Sequence, residues 1–364
     1  EPDDAPAAEP SDAPEIVLYT SGSTGRPKGV MLSHGSQVAI VDGLAQPGIR
    51  DFLARGPCIV AAPLFHMNGL VFSELAFAVG AHVVLMRRFD AREFIAALDR
   101  YRVTVLSGVP TMVALLAQER EALAQADLSS VELVMIGSAP LSDTVLAQAR
   151  EIFPQAAIFN SYGTTEIGAG ILGAHPDGLP RPPMSIGYPA PHAEMRLVGG
   201  SSPDEGVLEV RSPASMTGYL NLPEVTAAKM KNGWINTGDI VRRDEHGFLY
   251  FVGRNDDMFV CSGENIYPGE VERLLERHAD VLEVSIIPLP DAVRGHVPVA
   301  FVVLRPGATL TEQQVKDYVL SHAAPYMHPR RVWFLDRMPL SGVNKIDRHV
   351  LKGRALELAT EKVR

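Results

Sequence analysis

Three observations predict the fold class. Short apolar runs alternate with helical patterns over residues 15–160, helical periodicity fades into Pro, Gly and alternating runs over 175–252, and a separate α+β pattern begins near residue 257. Alternation of strands with helices implies a mostly parallel sheet covered by helices. The prediction is an α/β protein: a large domain with a mostly parallel sheet plus a β subdomain, followed by a small mobile α+β C-terminal domain. The boundaries read as 1–14 linker, 15–174 α/β part of the large domain, 175–255 β-rich subdomain and 256–364 C-terminal domain.

In the first part, strands are expected at 15–20, 58–62, 81–86, 103–107, 131–136 and 157–160, and helices at 36–45, 70–79, 91–101, 111–118 and 142–152. Ligands of such sheets bind at the carboxyl ends of strands, and three of the loops with chemically useful residues directly follow predicted strands. In the second part, residues 206–211 and 247–252 carry strand patterns. In the third, 270–278 reads as a helix with Val271, Leu274 and Leu275 as its apolar positions. Strands follow at 282–288 and 297–304, then a helix over 311–322 started by Thr311 as N-cap, and a basic helix after Lys345.

The chain has 364 residues, 46% hydrophobic and 21% charged, which is a globular composition. A formal net charge of -10 argues against a nucleic-acid surface. Residues 69–86 come nearest to a membrane span but contain Glu74, Gly80 and His82, so no integral membrane association is expected. Cys58 and Cys261 form neither a metal-ligand spacing nor a disulfide framework, which suits a reducing, cytoplasmic setting. Residues 1–14 are acidic and rich in Pro and Ala, without the positive start or apolar core of a signal peptide, and read as a linker.

The segment Tyr19-Thr20-Ser21-Gly22-Ser23-Thr24-Gly25-Arg26-Pro27-Lys28-Gly29 is the most telling. Gly22, Gly25 and Gly29 let the backbone turn sharply and approach a ligand. Successive N–H groups with the hydroxyls of Thr20, Ser21, Ser23 and Thr24 make an anion-binding concavity, and Lys28 adds a point charge. It is not a Walker P-loop, because Pro27 precedes the lysine and Gly29 follows it. A flexible Ser/Gly surface loop has the same composition.

Four further segments complete a pattern: Asn160-Ser161-Tyr162-Gly163-Thr164-Thr165-Glu166, Gly233-Trp234-Ile235-Asn236-Thr237-Gly238-Asp239, Gly253-Arg254-Asn255-Asp256-Asp257-Met258 with Ser262-Gly263-Glu264 behind it, and Pro339-Leu340-Ser341-Gly342-Val343-Asn344-Lys345. With the opening loop they resemble, in order, the motifs of the AMP-forming adenylating superfamily, in its acyl-CoA synthetase and aryl-CoA ligase branch. Singly, each has an ordinary reading: a solvated loop glutamate, a turn aspartate, a surface lysine. Five in sequence make chance a poor explanation.

The resemblance implies roles. Glu166 would meet Mg2+ and Thr165 a phosphate, while Tyr162 would stack on adenine and Asn160 would bond its exocyclic amine. The Gly137-Ser138-Ala139-Pro140 turn would line the base. Asp239 would accept two ribose hydroxyls, with Arg254 nearby. Lys345 would bridge the carboxylate and the α-phosphate in the transition state. Asp256 would be the hinge of a domain rotation, and Ser262, Gly263 and Glu264 would lie on the CoA route. His66, in Pro63-Leu64-Phe65-His66-Met67-Asn68-Gly69, would gate an acid pocket made with Met67, Leu70, Met135, Gly137, Tyr162, Gly163, Ile167 and Gly168.

The implied activity is that of an AMP-forming carboxylic acid–CoA ligase acting on a fatty or aromatic acid, with ATP, Mg2+ and coenzyme A. A stand-alone adenylation domain loading a carrier protein, or a nucleotide-binding fragment, stays open, as does a homodimer. Family members carry a large segment before the phosphate loop, so the resemblance also implies a missing N-terminal segment.

Overall fold

The computed structural model describes residues 13–20, 27–342 and 344–361. Its centre is a five-stranded parallel sheet in the order Val83–Leu85, Cys58–Val60, Val105–Gly108, Leu133–Ile136, Ala157–Asn160. Successive strand residues point to opposite faces, and both faces are buried. Ile59, Leu106, Val134 and Ile136 pack on one side with Phe94, Leu98, Leu116 and Phe153. Cys58, Val60, Val105, Leu133 and Met135 pack on the other with Leu53, Phe72 and Leu75. Two-sided burial explains why these strands read as unbroken apolar runs. The helices Ala91–Arg100 and Asp143–Ile152 start at N-caps Asp90 and Ser142, whose side chains accept from Glu93 N and Val145 N.

The first predicted strand departs from expectation. Pro14–Thr20 does not join the parallel sheet. It pairs antiparallel with Lys28–Ser33, with Thr20 opposite Lys28, and Gly218–Tyr219 completes a three-stranded sheet. So short a connection between neighbouring strands permits only antiparallel pairing, since parallel pairing needs a crossover of about a dozen residues. The Lys28–Ser33 strand was not anticipated, nor were the helices Pro47–Arg55 and Arg120–Gln125. Pro47-Gly48 reads as a breaker, yet proline at the first helical position costs no hydrogen bond.

The β-rich stretch forms an antiparallel sheet running Glu194–Ser202, Glu205–Arg211, Trp234–Arg243, Met230–Lys231, with Leu249–Arg254 paired to the long Trp234–Arg243 strand. Beyond it, Val281–Asp291 and Gly295–Leu304 make a long hairpin that Phe259–Cys261, Glu264–Ile266 and Val332–Phe334 extend. The helices Pro268–Glu276, Glu312–His322 and Arg348–Glu361 cover this sheet around a core that includes Phe301, Ile286, Leu275, Val319 and Leu351. The molecule is thus α/β, with a large N-terminal part and a small C-terminal domain. Contacts that dock the two include the following. Thr144 Oγ1 donates to Glu276 O (2.9 Å), Arg277 Nε lies 3.4 Å from Asp143 Oδ2, and Arg273 Nη2 donates to Val252 O (2.9 Å).

Thr311 caps its helix with a complete capping box: its hydroxyl accepts from Gln314 N, and the Gln314 side chain accepts from Thr311 N. Thr311→Ala is expected to lower C-terminal domain stability by about 1 kcal/mol. Urea denaturation followed by Trp333 fluorescence in a Trp234→Phe background checks it, a change below about 0.3 kcal/mol counting against the cap.

Candidate functional site

A cavity of about 2660 Å³ lies at the carboxyl ends of the parallel strands and extends to the C-terminal domain. The loops after three strands form its floor. After Cys58–Val60 comes Pro63–Gly69. Gly69 must be glycine, because a Cβ there would stand 2.5 Å from the carbonyl oxygens of Ala62 and Pro63. After Leu133–Ile136 comes Gly137-Ser138-Ala139-Pro140, and a Cβ on Gly137 would stand 2.7 Å from Ser161 O. After Ala157–Asn160 comes the segment Ser161–Gly168, closed by a bridge between Thr164 and Gly168.

Asp239 and Arg254 face one another across the Trp234–Arg243 and Leu249–Arg254 pair. Cross-strand neighbours of opposite charge interact directly, and Arg254 Nη1 lies 3.4 Å from Asp239 Oδ1. From the parallel-sheet side the Tyr162 hydroxyl donates to Asp239 Oδ2 at 2.6 Å. Asp239 is only 3% exposed. Burial pushes its carboxyl above the usual aspartate range, and Arg254 and then the Tyr162 hydrogen bond oppose the rise. Burial, reinforced by Asp239, pushes the Tyr162 phenol well up, so it stays a donor.

Asn160 donates its Nδ2 to Met184 O at 3.0 Å, which turns Oδ1 into the acceptor available to an exocyclic amine. Arg181 fixes this strand end by donating to Asn160 O and to Ser185 O (3.1 Å). Burial pulls its guanidinium down to about 10. Glu166 accepts from the Tyr219 hydroxyl at Oε1 (2.9 Å), and its carbonyl accepts from Met216 N.

Lys345 reaches the cavity from the C-terminal domain. Its turn is braced by Ser341 N donating to Lys345 O (2.8 Å) and Asp347 N to Pro339 O (2.8 Å). Three residues on, Arg348 Nη2 holds both carboxylate oxygens of Glu272 at 2.6 Å, which pins the following helix to Pro268–Glu276. Burial holds Lys345 below the ordinary lysine range and Arg254 adds to the effect. His66 is pulled down by burial and then by Lys345, so it is neutral at pH 7. Lys229 also lines the cavity, donating to Thr237 O (3.0 Å), and burial lowers it as well. The cations Lys28, Lys229, Arg254 and Lys345 thus line the same cavity as the carboxylates Asp239, Glu166 and Asp256. That arrangement suits a polyanion with vicinal hydroxyls.

Most of the anticipated site converges here. Thr20, Lys28, His66, Met67, Met135, Gly137, Ser138, Ala139, Pro140, Asn160, Ser161, Tyr162, Gly163, Thr164, Thr165, Glu166, Gly168, Asp239, Arg254, Asp256 and Lys345 all line the cavity. Ser21, Gly22, Ser23, Thr24 and Gly25 lie outside the described residues. Two expectations fail. Ile167 is fully buried in the core beneath the loop, because the tight Thr164–Gly168 turn points it inward. Leu70 packs against that same core, since the cavity face of the Met67–Ala78 helix carries Asn68, Val71 and Phe72. Ser262, Gly263 and Glu264 sit on the Phe259–Cys261/Glu264–Ile266 hairpin, outside the cavity lining. Sequence reading missed Arg181, Tyr219 and Lys229. Only the Pro-flanked Arg181 carried a local signal, a cation in a segment with no helical or strand pattern.

The pattern of the AMP-binding enzyme family matches residues 1–220, and that of the AMP-binding enzyme C-terminal domain matches residues 270–345. The chain belongs to the AMP-binding enzyme family. Among relatives of this AMP-binding enzyme, 4-coumarate–CoA ligase-like 6 of Oryza sativa subsp. japonica is 35% identical over 96% of this chain and 62% of its own length. The 2-succinylbenzoate–CoA ligase of Bacillus pumilus is 34% identical over 93% of this chain and 68% of its own length. The chain thus spans about three fifths of the first curated relatives it matches, 62%, 65% and 59%.

Among solved structures, an amide bond synthetase from Marinactinospora thermotolerans superposes with a TM-score of 0.83 at 32% identity, covering 93% of this chain and 68% of the other. The O-succinylbenzoate coenzyme A synthetase of Bacillus subtilis in complex with AMP superposes at 0.78 and 32%, covering 94% and 69%.

The raised carboxyl of Asp239 gives a pH prediction for the AMP-binding site. If Asp239 accepts two ribose hydroxyls it must be ionised, and a raised value means that form is lost as pH falls, earlier than for an ordinary aspartate. Adenosine affinity is therefore expected to fall with decreasing pH, starting at a higher pH than an ordinary aspartate would give. Asp239→Asn should bind about tenfold or more weakly, with a flat profile. Calorimetric titration with adenosine between about pH 5 and pH 8 checks both, and parallel profiles would remove Asp239 from the ribose site.

Proposed function

We propose that this chain carries the adenylating and acyl-transferring machinery of an AMP-forming carboxylic acid–CoA ligase. The observation that carries the reading is Lys345, a half-buried cation that lines the same cavity as Arg254, His66, Asp239 and Glu166. A cavity of about 2660 Å³ exceeds the roughly 300–1,000 Å³ of a single small-ligand pocket, in keeping with several substrates.

In this reading Asp239 accepts the ribose hydroxyls, the Gly137–Pro140 turn and Tyr162 flank the base, and Asn160 Oδ1 accepts from its amine. The acid's carboxylate oxygen attacks the α-phosphorus, the bond to the bridging β-phosphate oxygen breaks, and pyrophosphate leaves. Lys345 and Arg254 face the charge that gathers on the α-phosphate oxygens, and such preorganised charge is worth most in a dry site. The CoA sulfur, having lost its proton, then attacks the acyl carbon and AMP leaves.

A divalent cation fits the donor set. Among the described residues no cluster of three or more His, Cys, Asp or Glu could hold a metal, and Mg2+ in phosphate sites needs only one or two carboxylates beside the phosphates. Glu166 would be that carboxylate, and Mg2+ would supply neutralisation of the triphosphate charge. Asp256, in the turn after Arg254, is the proposed hinge, and the Ser262–Glu264 hairpin the proposed approach for CoA. Domains 15–174, 175–255 and 256–364 are the units that would move or stay.

The acid is proposed to be aromatic or fatty. Met67, Val71, Phe72, Met112 and Met135 give the cavity an apolar wall near His66. A neutral His66 offers no permanent charge for a second carboxylate, and Arg181 Nε and Nη2 are engaged by the carbonyls of Ser185 and Asn160. The CoA ligase names of the relatives agree with this class.

The test is acid-dependent pyrophosphate release with ATP and Mg2+ over 4-coumarate, benzoates, 2-succinylbenzoate and medium-chain fatty acids, with and without CoA. Release that requires one acid class, with CoA converted to its thioester, is the expected result. Release without thioester formation would move the acceptor to a carrier protein or an amine. Lys345→Ala is expected to cut adenylate formation at least about a hundredfold while ATP still binds in calorimetry. Equal rates in variant and parent would remove Lys345 from the chemistry.

A further inference from the structure

We propose that Tyr219 is a positioning residue that presents Glu166 to the divalent cation of the bound nucleotide. The proposal rests on the reading of Glu166 as the metal carboxylate. Tyr219 belongs to none of the motifs that mark the site in the sequence. It lies in the two-residue strand Gly218–Tyr219, where Tyr219 pairs with Val30, two positions beyond Lys28. Its backbone is fixed on two sides: Tyr219 N donates to Thr226 Oγ1 (2.9 Å), and the next amide, Leu220 N, donates to Gly29 O (2.8 Å).

The side chain is 3% exposed, and its hydroxyl donates to Glu166 Oε1 at 2.9 Å. Lys28 Nζ stands over its ring, 5.4 Å from the centroid. One aromatic residue thus touches the end of the phosphate-loop segment through its face and the candidate metal carboxylate through its edge oxygen. With Oε1 occupied, the hydrogen bond fixes the carboxylate's rotation and makes Oε2 the oxygen offered to a cation. Hydrogen-bonded outer partners of this kind orient ligands and commonly matter about 10- to 100-fold in metal affinity. Lys28 over the ring gains a cation–π attraction, which draws the lysine to the same spot whether or not phosphate is present.

The discriminating variant is Tyr219→Phe, which removes one oxygen and keeps the ring under Lys28. ATP affinity is measured by calorimetry with Mg2+ and with EDTA, and Mn2+ binding in the presence of a non-hydrolysable ATP analogue is followed by electron paramagnetic resonance. The expected result is divalent-free ATP affinity within about twofold of the parent, with the gain in affinity on adding Mg2+ reduced about tenfold and Mn2+ binding weakened to match. Lys28→Met should instead lose ATP affinity by the same factor with and without the metal. Equal losses for Tyr219→Phe in both conditions would make Tyr219 a packing residue and overturn the proposal, as would an unchanged Mg2+ gain. Glu166→Gln separates the two levels. If that variant keeps the full Mg2+ gain, Glu166 is not the metal carboxylate and the underlying reading falls with the proposal. If it loses the gain while Tyr219→Phe keeps it, only the role of Tyr219 fails.

Discussion

The architecture turns on one desolvated carboxylate. Asp239 is buried, and a buried charge survives only if paired and hydrogen-bonded. Its partners come from different parts of the chain: Tyr162 from the loop after the last parallel strand, Arg254 from the neighbouring strand of the β-rich sheet. The need to satisfy Asp239 therefore ties the parallel sheet to the β-rich sheet. The strand that carries Arg254 is in turn held to the C-terminal domain by Arg273, whose Nη2 donates to Val252 O. Removing any one partner would leave a buried charge exposed to the full cost of desolvation.

The second constraint is repulsive. Burial and then Arg254 hold Lys345 below the ordinary lysine range, whereas Arg254 itself, despite its own desolvation, is raised by Asp239, Asp256 and Asp257. Polar contacts between the domains include Thr144 to Glu276, Arg277 to Asp143 and Arg273 to Val252. Domain interfaces of this kind move by default. A polyanion entering the cavity would turn repulsion into attraction and so favour the arrangement in which Lys345 is inserted. This is differential affinity for one orientation, which is what a ligand needs to shift a conformational equilibrium. In the proposed reaction, loss of pyrophosphate would remove much of that negative charge and weaken the insertion.

Much of the fold was legible because its signals are local. Strands of the central sheet are buried on both faces and read as apolar runs, as Leu133–Ile136 does. The helix at 312–322 announced itself through Thr311. What stayed hidden depends on distant pairing. Nothing local in residues 15–20 tells a parallel-sheet strand from one that turns back on Lys28–Ser33 and then meets Gly218–Tyr219. The site followed the same division. Asp239, Glu166 and Lys345 stood in recognisable order, whereas Tyr219 and Lys229 become site residues only when folding places them beside Glu166 and Thr237. Ile167 failed for the complementary reason: its neighbours line the cavity, but a tight turn directs that one side chain into the core.

In the proposed reaction an acid's carboxylate oxygen becomes bonded to the α-phosphorus in the space between Lys345, Arg254 and Asp239. The most direct measurement is oxygen transfer. The protein is given a carboxylic acid labelled with 18O in its carboxylate, together with ATP, Mg2+ and CoA, and the products are weighed by mass spectrometry. AMP carrying one 18O atom, with unlabelled pyrophosphate, is the predicted result. Unlabelled AMP, or label appearing in pyrophosphate or in inorganic phosphate beside ADP, would contradict attack at the α-phosphorus and with it the assignment of this cavity.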